Sequence, residues 1–207
     1  MTSTVFKYFP ELSETQKKQF EILAKSFPEW NHKINLVSRK DMDDFQERHV
    51  LHSLAIYKAM KFASGSRILD VGTGGGLPGL PLAILMPDVT FVLCDSRGNK
   101  IMVVRELAAE MGLKNVEAIH DRASNIDGKF DFIVSRAVTR LSKFIPWVEN
   151  KIHKRNLNPW PNGILYLKGG DLHEELNEVK RSTEIISISN FFKEEYFVTK
   201  AVVYVTL

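Results

Sequence analysis

The stretch DVGTGGGLPG, at residues 70–79, carries five glycines directly after a run of branched apolar residues. Glycines allow a backbone to approach a ligand closely, because they carry no Cβ. Gly72, Gly74 and Gly76 form the pattern G-x-G-x-G. Gly74, Gly76 and Gly79 also satisfy the dinucleotide pattern G-x-G-x-x-G, but they start two residues late relative to the apolar run. The glycines therefore predict a nucleotide-type cofactor without selecting one.

Two aspartates distinguish between the candidate cofactors. Asp70 immediately precedes the glycines, where its carboxylate would repel a pyrophosphate and attract an ammonium group or a cationic sulfur. Asp95 ends the next apolar run, where an acid can accept hydrogen bonds from both hydroxyls of a ribose. We therefore predict S-adenosylmethionine rather than a nicotinamide dinucleotide. The structural alternative is that the glycines make a tight turn and Asp70 caps a helix.

Strands and helices alternate around these residues. Branched apolar runs predict five strands, at residues 67–72, 90–95, 116–120, 130–137 and 163–170, and helical patterns separate them. This alternation predicts a doubly wound parallel sheet, in which ligands lie at the carboxyl ends of the strands. The stretches EIISISNFF and YFVTKAVVYVTL predict two further strands that form a hairpin with a short turn.

The N-terminal part of the chain is predicted to be helical. A capping box at Ser13 starts the first helix, Pro28 kinks or restarts it, and Asp41 caps a second helix. We therefore predict an N-terminal helical cap at residues 1–62 and a sheet domain at residues 63–207, packed as one unit.

The composition fits one α/β unit of 207 residues, with an apolar content of 44%. The net charge of +3 is compatible with a polyanionic partner without indicating one. Cys94 is the single cysteine, so no internal disulfide can form, and a reducing cytoplasm is expected. No stretch approaches the ~18 apolar residues of a membrane span, and we expect a soluble protein with no membrane contact.

A family resemblance is carried by five stretches between about Asn31 and Gly170: NHKINLVSRKDMDDFQERHVLHSL, DVGTGGGLPG, LCDSRGNK, VSRAV and YLKGG. Together they resemble the ribosomal RNA small subunit methyltransferase G family, also called the glucose-inhibited division protein B family. The resemblance implies a Rossmann-like class I methyltransferase fold. That fold has a seven-stranded, mostly parallel sheet, a C-terminal antiparallel hairpin and an N-terminal helical cap. It also implies transfer of a methyl group to N7 of one guanosine in 16S rRNA, with S-adenosylhomocysteine as the product.

The resemblance also implies which residues contact S-adenosylmethionine. They are Gly72 and Leu77 in the glycine turn, Ala123 and Ser124 after the third strand, and Arg136 after the fourth. The glycine pattern adds Gly74 and Gly76, and Asp95 fits the ribose position. The family often has a glutamate where Ser124 stands, and a hydroxyl there can still bind the adenine, with less charge assistance.

The residues exclude some methyl acceptors. Methylation at pyrimidine C5 needs a cysteine nucleophile, and Cys94 lies inside the second predicted strand. Amino-group methylation typically uses an Asn/Asp-Pro-Pro-aromatic loop after the fourth strand, and the similar run at residues 158–161 comes too late in the chain. Guanine N7 needs no general base, and Arg136 could hold the ring through O6. This reasoning permits N7, whereas the family resemblance supplies it.

Basic residues near the predicted sheet edge are candidates for contact with RNA, either 16S rRNA or the small ribosomal subunit. They are Arg48 and His49 on the cap, Arg140 and Lys143, which would share a helix face with Arg136, and Lys168 at the end of the fifth strand. Residues 151–155 fit a solvated loop better. His49 and His52 are spaced for a metal pair, but no third ligand is evident, so we expect packing and no metal.

Three rival functions remain open. They are a small-molecule S-adenosylmethionine-dependent methyltransferase, a nicotinamide oxidoreductase and a non-catalytic RNA-binding module. No obligate protein partner is implied. Trp30 and Trp147 fall on apolar helical faces and are expected in the core.

Overall fold

The computed structural model describes residues 4–207, apart from the side chain of Arg39. The first three residues of the predicted cap thus lie outside the described residues. A seven-stranded sheet organises the chain, with the strand order β3-β2-β1-β4-β5-β7-β6. The strands are β1 (Arg67–Val71), β2 (Thr90–Asp95), β3 (Val116–His120), β4 (Phe132–Arg136), β5 (Gly163–Gly169), β6 (Thr183–Ser187) and β7 (Lys200–Thr206). Neighbouring strands from β1 to β5 are parallel, and β7 is antiparallel to both β5 and β6.

Seven α-helices accompany the sheet in the described part of the chain. They are α1 (Thr4–Tyr8), α2 (Glu14–Lys33), α3 (His52–Ala59), α4 (Gly79–Leu85), α5 (Gly98–Glu110), α6 (Leu141–Val148) and α7 (His173–Asn177). None of these helices combines the length and apolarity that a membrane crossing requires. The strand order reverses direction at β1, between β2 and β4, which is where open parallel sheets bind ligands. The predicted fold class is confirmed.

The first cap helix begins as predicted and runs further than expected. The Ser13 side chain accepts a hydrogen bond from the Gln16 N–H at 3.2 Å, and the Gln16 side chain accepts one from the Ser13 N–H at 3.0 Å. Pro28 lies inside α2, which continues without interruption, so the helix does not restart there. The buried face continues from Leu23 to Asn31 across the proline, and its packing holds the helix together.

The second cap helix begins later than predicted. Asp41 does not cap it; Asp41 ends a 3₁₀ turn, Arg39–Asp41, and its carboxylate accepts a hydrogen bond from Arg48 at 3.1 Å. The helix starts as a π-helix, Gln46–Leu51, which leads directly into α3. π-helical turns are rare and occur frequently at functional sites.

The tail forms the predicted hairpin, but its connection is not a short turn. Strand β7 begins at Lys200, and residues 188–199 include two 3₁₀ turns. Phe192 and Phe197 in this connection are fully buried, and the Phe192 ring packs edge-on against Tyr8 of α1 at 4.8 Å. The aromatic residues that suggested strands therefore anchor the connection beneath the cap.

Two apolar clusters cover the two faces of the sheet. The larger cluster joins Phe27 and Leu54 of the cap to Phe91 and Phe132 of the sheet. The smaller cluster includes Phe144 of α6 and buried residues of β1, β4, β5 and β7. The division of the chain between residues 62 and 63 stays a prediction.

Candidate active site

Two cavities, each of about 600 Å³, open at the carboxyl edge of the sheet. The strand-two cavity is lined by residues that follow β2 and β3, including Asp95, Asp121, Ala123 and Ser124. The cap cavity is lined by residues of the cap, of β4, of β5 and of the tail, including His49, His52, Arg136, Lys168 and Tyr196. Gly72 and Lys100 line both cavities. A ligand in one cavity can therefore meet a ligand in the other across Gly72.

Gly72 occupies a position that does not accommodate a side chain. Its φ angle is +66°, a left-handed conformation that residues with a Cβ adopt at a cost. A Cβ at this position would lie 2.4 Å from Cγ2 of Val138. The bare backbone at the common wall of the two cavities therefore depends on glycine.

Asp70 stabilises the glycine turn through hydrogen bonds to two of its residues. Its Oδ2 accepts hydrogen bonds from the Thr73 hydroxyl at 2.6 Å and from the Gly79 N–H at 2.8 Å, at the start of α4. The carboxyl group is fully buried, and this burial raises its pKa to about 7. Asp70 lines neither cavity. The expectation that it faces the ligand is wrong, and the structural alternative describes this residue.

Asp95 connects the glycine turn to the strand-two cavity. Its Oδ2 accepts a hydrogen bond from the Gly74 N–H at 3.0 Å, and its Oδ1 accepts one from the Arg97 N–H at 2.9 Å. Each carboxylate oxygen keeps a second lone pair, so the group can still accept hydrogen bonds from two hydroxyls. The backbone contacts fix the orientation of the acid before any ligand arrives.

The loop that carries Ala123 and Ser124 is held by a buried lysine. The Lys151 ammonium donates to the Ser124 carbonyl at 3.1 Å and to the Ile126 carbonyl at 2.5 Å. Lys151 ends a 3₁₀ turn and is 6% exposed. The prediction of a solvated loop at residues 151–155 is therefore wrong at Lys151. The backbone carbonyls above it satisfy the ammonium and compensate for its burial.

Trp147 of α6 also differs from expectation. The residue is 41% exposed and lines the strand-two cavity, whereas the sequence pattern placed it in the core. Its neighbour Phe144 occupies the buried face of the same helix. Trp147 therefore presents an aromatic surface to the cavity rather than to the apolar core.

The structure brings most of the predicted cofactor residues together. The strand-two cavity includes Gly72, Asp95, Ala123 and Ser124, and the cap cavity includes Gly72, Gly74, Leu77 and Arg136. Gly76 lines neither: a Cβ there would lie 2.3 Å from Cδ1 of Leu80. This glycine allows the turn to pack against α4.

Arg136 ends β4 and projects toward the cap. Its Nη1 lies 2.9 Å from Nδ1 of His49, and burial lowers its pKa. Burial, assisted by the positive charge of Arg136, also lowers the pKa of His49 to about 3. Arg136 does not share a helix face with Arg140 and Lys143, because α6 begins only at Leu141. The cap cavity thus contains a charged arginine and a neutral histidine in direct contact.

Several of the predicted RNA-contacting residues have their positive charge neutralised by ion pairs with acidic side chains. His49 lies in the cap cavity, and Lys143 is exposed at the surface. Three of the other cations form ion pairs: Arg48 with Asp41 at 3.1 Å, Arg140 with Glu178 at 2.6 Å, and Lys168 with Glu175 at 2.7 Å. Lys168 alone of these three lines the cap cavity. Acidic partners, of which Glu178 is 38 residues from Arg140 in the sequence, therefore reduce the positive charge of the predicted rim.

Sequence reasoning missed several residues that line the cavities. Lys100 lies in the stretch LCDSRGNK, whose quoted motif could have drawn attention to it. Tyr196 and Lys200 come from the tail connection and the start of β7, where no local pattern indicated a site. Among residues 4–207 as described, no group of three or more His, Cys, Asp or Glu residues could hold a metal ion.

Comparison with known proteins gives a family match over most of the chain. The family model described as rRNA small subunit methyltransferase G (GidB) matches residues 16–199. The ribosomal RNA small subunit methyltransferase G of Cytophaga hutchinsonii is 54% identical over 199 residues, which is 96% of each chain. The protein of the same name from Flavobacterium psychrophilum is 52% identical over 203 residues, covering 98% of this chain and 97% of the relative.

Solved structures of low sequence identity share the fold. A SAM-dependent methyltransferase from Aquifex aeolicus has a TM-score of 0.59 at 14% identity, covering 83% of this chain and 100% of the other. A ribosomal protein L11 methylase from Lactobacillus delbrueckii subsp. bulgaricus has a TM-score of 0.55 at 19% identity, covering 79% and 78%. The fold is thus that of class I methyltransferases. Given the family match and the two close relatives, this chain belongs to the rRNA small subunit methyltransferase G family.

Proposed function

We propose that this chain transfers the methyl group of S-adenosylmethionine to N7 of one guanosine in the RNA of the small ribosomal subunit. The reaction releases S-adenosylhomocysteine and takes place in the cytoplasm. Family membership supports the reaction class and the RNA substrate. The single structural observation that carries the proposal is the pair of cavities that meet at Gly72.

The strand-two cavity suits the adenosine half of the cofactor. Asp95 accepts hydrogen bonds from the ribose hydroxyls, the backbone of Ala123 and Ser124 meets the adenine edge, and Trp147 offers an aromatic surface to the base. The amino-acid half then passes Gly72 toward the cap cavity, where Gly74 and Leu77 lie. When bound, S-adenosylmethionine supplies an electrophilic methyl group on a cationic sulfur.

The cap cavity suits the guanine. N7 carries an in-plane lone pair, so the protein has no proton to remove, and its task is to place N7 in line with the methyl group. Well-oriented placement can lower a barrier by roughly 7–11 kcal/mol. The absence of a side chain at Gly72 leaves room for the two reacting atoms to approach each other.

The substrate surface surrounds the mouth of the cap cavity. Lys100 and Lys200 line this cavity, and the ion pairs of the described residues include neither of them, so both ammonium groups are available to RNA phosphates. Exposed Lys143 lies further out and can add a phosphate contact. The substrate is 16S rRNA, either naked or within the small ribosomal subunit, and no obligate protein partner is required.

A labelling experiment tests this function. The protein is incubated with methyl-labelled S-adenosylmethionine and unmethylated small-subunit RNA, both naked and as assembled subunits, with large-subunit RNA as the control. We expect label at N7 of one guanine in the small-subunit RNA. Cofactor binding without transfer would instead indicate a binding module, and transfer only to small molecules would indicate the rival methyltransferase.

A further inference from the structure

His49 is held in one protonation state by its contact with Arg136. A guanidinium has only donors, so the 2.9 Å contact between Arg136 Nη1 and His49 Nδ1 requires Nδ1 to be the acceptor. A neutral imidazole that accepts at Nδ1 carries its proton on Nε2. Burial and the positive charge of Arg136 lower the pKa of His49 to about 3, so the ring stays neutral at physiological pH. The contact therefore creates an uncharged Nε2–H donor.

This donor has no partner in the described part of the protein. Nε2 of His49 is buried and makes no hydrogen bond, and the residue is 7% exposed while lining the cap cavity. Buried N–H groups are almost always paired, so an unpaired Nε2–H on a residue that lines a cavity is a candidate donor to a ligand that enters there. Arg136 keeps other N–H donors besides the one that meets His49, but all of them are charged, so the histidine supplies the uncharged donor.

The chemistry of the donor matches one purine. Guanine presents two acceptors on the edge that carries N7, namely N7 and O6, whereas adenine presents an amino donor in place of O6. An uncharged donor also suits a reaction whose cofactor and N7-methylated product are both cationic, because it adds no further positive charge.

We propose that the Nε2–H of His49 donates a hydrogen bond to O6 of the substrate guanine, and that Arg136 is the positioning residue that fixes this tautomer. This assignment rests on the proposed function of the cap cavity. It replaces the expectation that Arg136 itself donates to O6. The histidine accordingly selects guanine over adenine at the methylation site and takes no part in proton transfer.

A cycle that combines a variant with a modified base tests the proposal. The target guanosine of the small-subunit RNA is replaced by 2-aminopurine riboside, which keeps N7 and the 2-amino group but lacks O6. kcat/KM is measured for the wild type and for His49→Phe on both RNAs. The preference is the ratio of kcat/KM for the guanine RNA to kcat/KM for the 2-aminopurine RNA. We expect this ratio to be about ten-fold larger for the wild type than for His49→Phe. The different intrinsic reactivity of the two bases cancels in this ratio of ratios.

Three further variants complete the test. His49→Gln, whose amide can accept from Arg136 and donate to O6, should recover part of the preference. His52→Phe removes the rival donor, because His52 lines the same cavity and its buried Nε2 is also unpaired. Its Nδ1 lies 3.5 Å from the Tyr196 hydroxyl, which can donate or accept and does not fix the tautomer, so the preference should fall less than in His49→Phe. His49→Leu provides the same comparison if phenylalanine cannot be accommodated. Titration with S-adenosylhomocysteine verifies that each variant is folded.

The outcomes separate this inference from the proposed function. If the wild type transfers no methyl group to guanine N7, the proposed function fails. If the wild type does transfer it, but His49→Phe and His49→Leu keep the same preference for guanine within two-fold, the role of His49 is overturned and the proposed function is not. Loss of the preference in His52→Phe instead of the His49 variants would also overturn the role of His49.

Discussion

The strand-two cavity and the cap cavity have the same volume of about 600 Å³, but they are built in different ways. The strand-two cavity consists mainly of turns that directly follow parallel strands, and its polar groups are fixed by nearby backbone, as in the contacts of Asp95. The cap cavity collects side chains from distant segments: Arg136 and His49 are 87 residues apart, and Tyr196 and His52 are 144 apart.

This difference teaches that the two ligands are recognised by different means. The cofactor is the same small molecule in every reaction cycle, so backbone geometry and a few short side chains can hold it. A base within a folded RNA has to be recognised by its edge, and the cap cavity provides side chains with defined charge and tautomer. The two cavities should therefore respond differently to substitutions, except at their shared wall.

The largest effect is expected from Gly72→Ala, at that shared wall. The left-handed φ should cost about 1–2 kcal/mol and the 2.4 Å approach to Val138 about 1–3 kcal/mol. The turn has to move away from its binding geometry to relieve this strain, so affinity for S-adenosylhomocysteine should fall about 100-fold. Calorimetric titration measures this. Gly112→Ala is the control, because Gly112 has φ +68°, no atom near its Cβ position and no place in either cavity, so this variant should keep normal cofactor affinity. Unchanged affinity in Gly72→Ala as well would show that the close approach to Val138 is irrelevant to binding.

The next effect is expected from Lys151→Met, which should affect the strand-two cavity alone. The Ser124 and Ile126 carbonyls would lose a charged donor, at a cost of about 1–3 kcal/mol, and cofactor affinity should fall about ten-fold. RNA affinity, measured by fluorescence anisotropy, should stay unchanged. Lys154→Met, at an exposed position nearby, is the control. A weakened RNA complex with normal cofactor affinity would contradict the separation of the two cavities.

A smaller effect concerns the pH dependence of stability through Asp70. Burial raises its pKa in the folded protein to about 7 from the ordinary value of 3.8. The folded state thus binds this proton more tightly than the unfolded state, and the resulting stabilisation is full below pH ~4 and lost as the pH rises through ~7. Asp70→Asn cannot titrate.

The apo wild type should therefore lose thermal stability relative to Asp70→Asn between pH 5 and pH 8, by at least ~2–4 °C in Tm. Differential scanning calorimetry at several pH values measures this difference. A gap in Tm that does not change with pH would show that Asp70 is ionised throughout this range.

The smallest effect is expected from Lys143→Ala, at the outer surface. Loss of one phosphate contact should weaken RNA binding a few-fold and reduce the salt slope of binding by about one, with normal cofactor affinity. Lys114→Ala, at an exposed position between α5 and β3, is the control. An unchanged salt slope in Lys143→Ala would show that Lys143 does not contact an RNA phosphate.

The contrast between the cavities also explains what could be predicted from the sequence. The sheet, the glycine turn and the candidates at Asp95 and Ser124 follow from apolar runs and from the residues directly after them, which are local features. The pairing of Arg136 with His49 depends on how the cap packs on the sheet. Burial of Lys151 depends on which carbonyls lie above it. Asp70 was misread because a carboxylate beside a glycine turn fits either a ligand or a buried brace.

The most direct test of the account is whether the methyl group passes to N7 in the cap cavity. Small-subunit RNA is prepared with 7-deazaguanosine at the target position, which replaces the acceptor nitrogen by a C–H group. We expect this RNA to bind with an affinity within about two-fold of the unmodified RNA, since one edge atom carries little of the phosphate-dominated affinity, and to receive no methyl group. Methylation of the 7-deaza RNA at the same residue and at the normal rate would contradict the account.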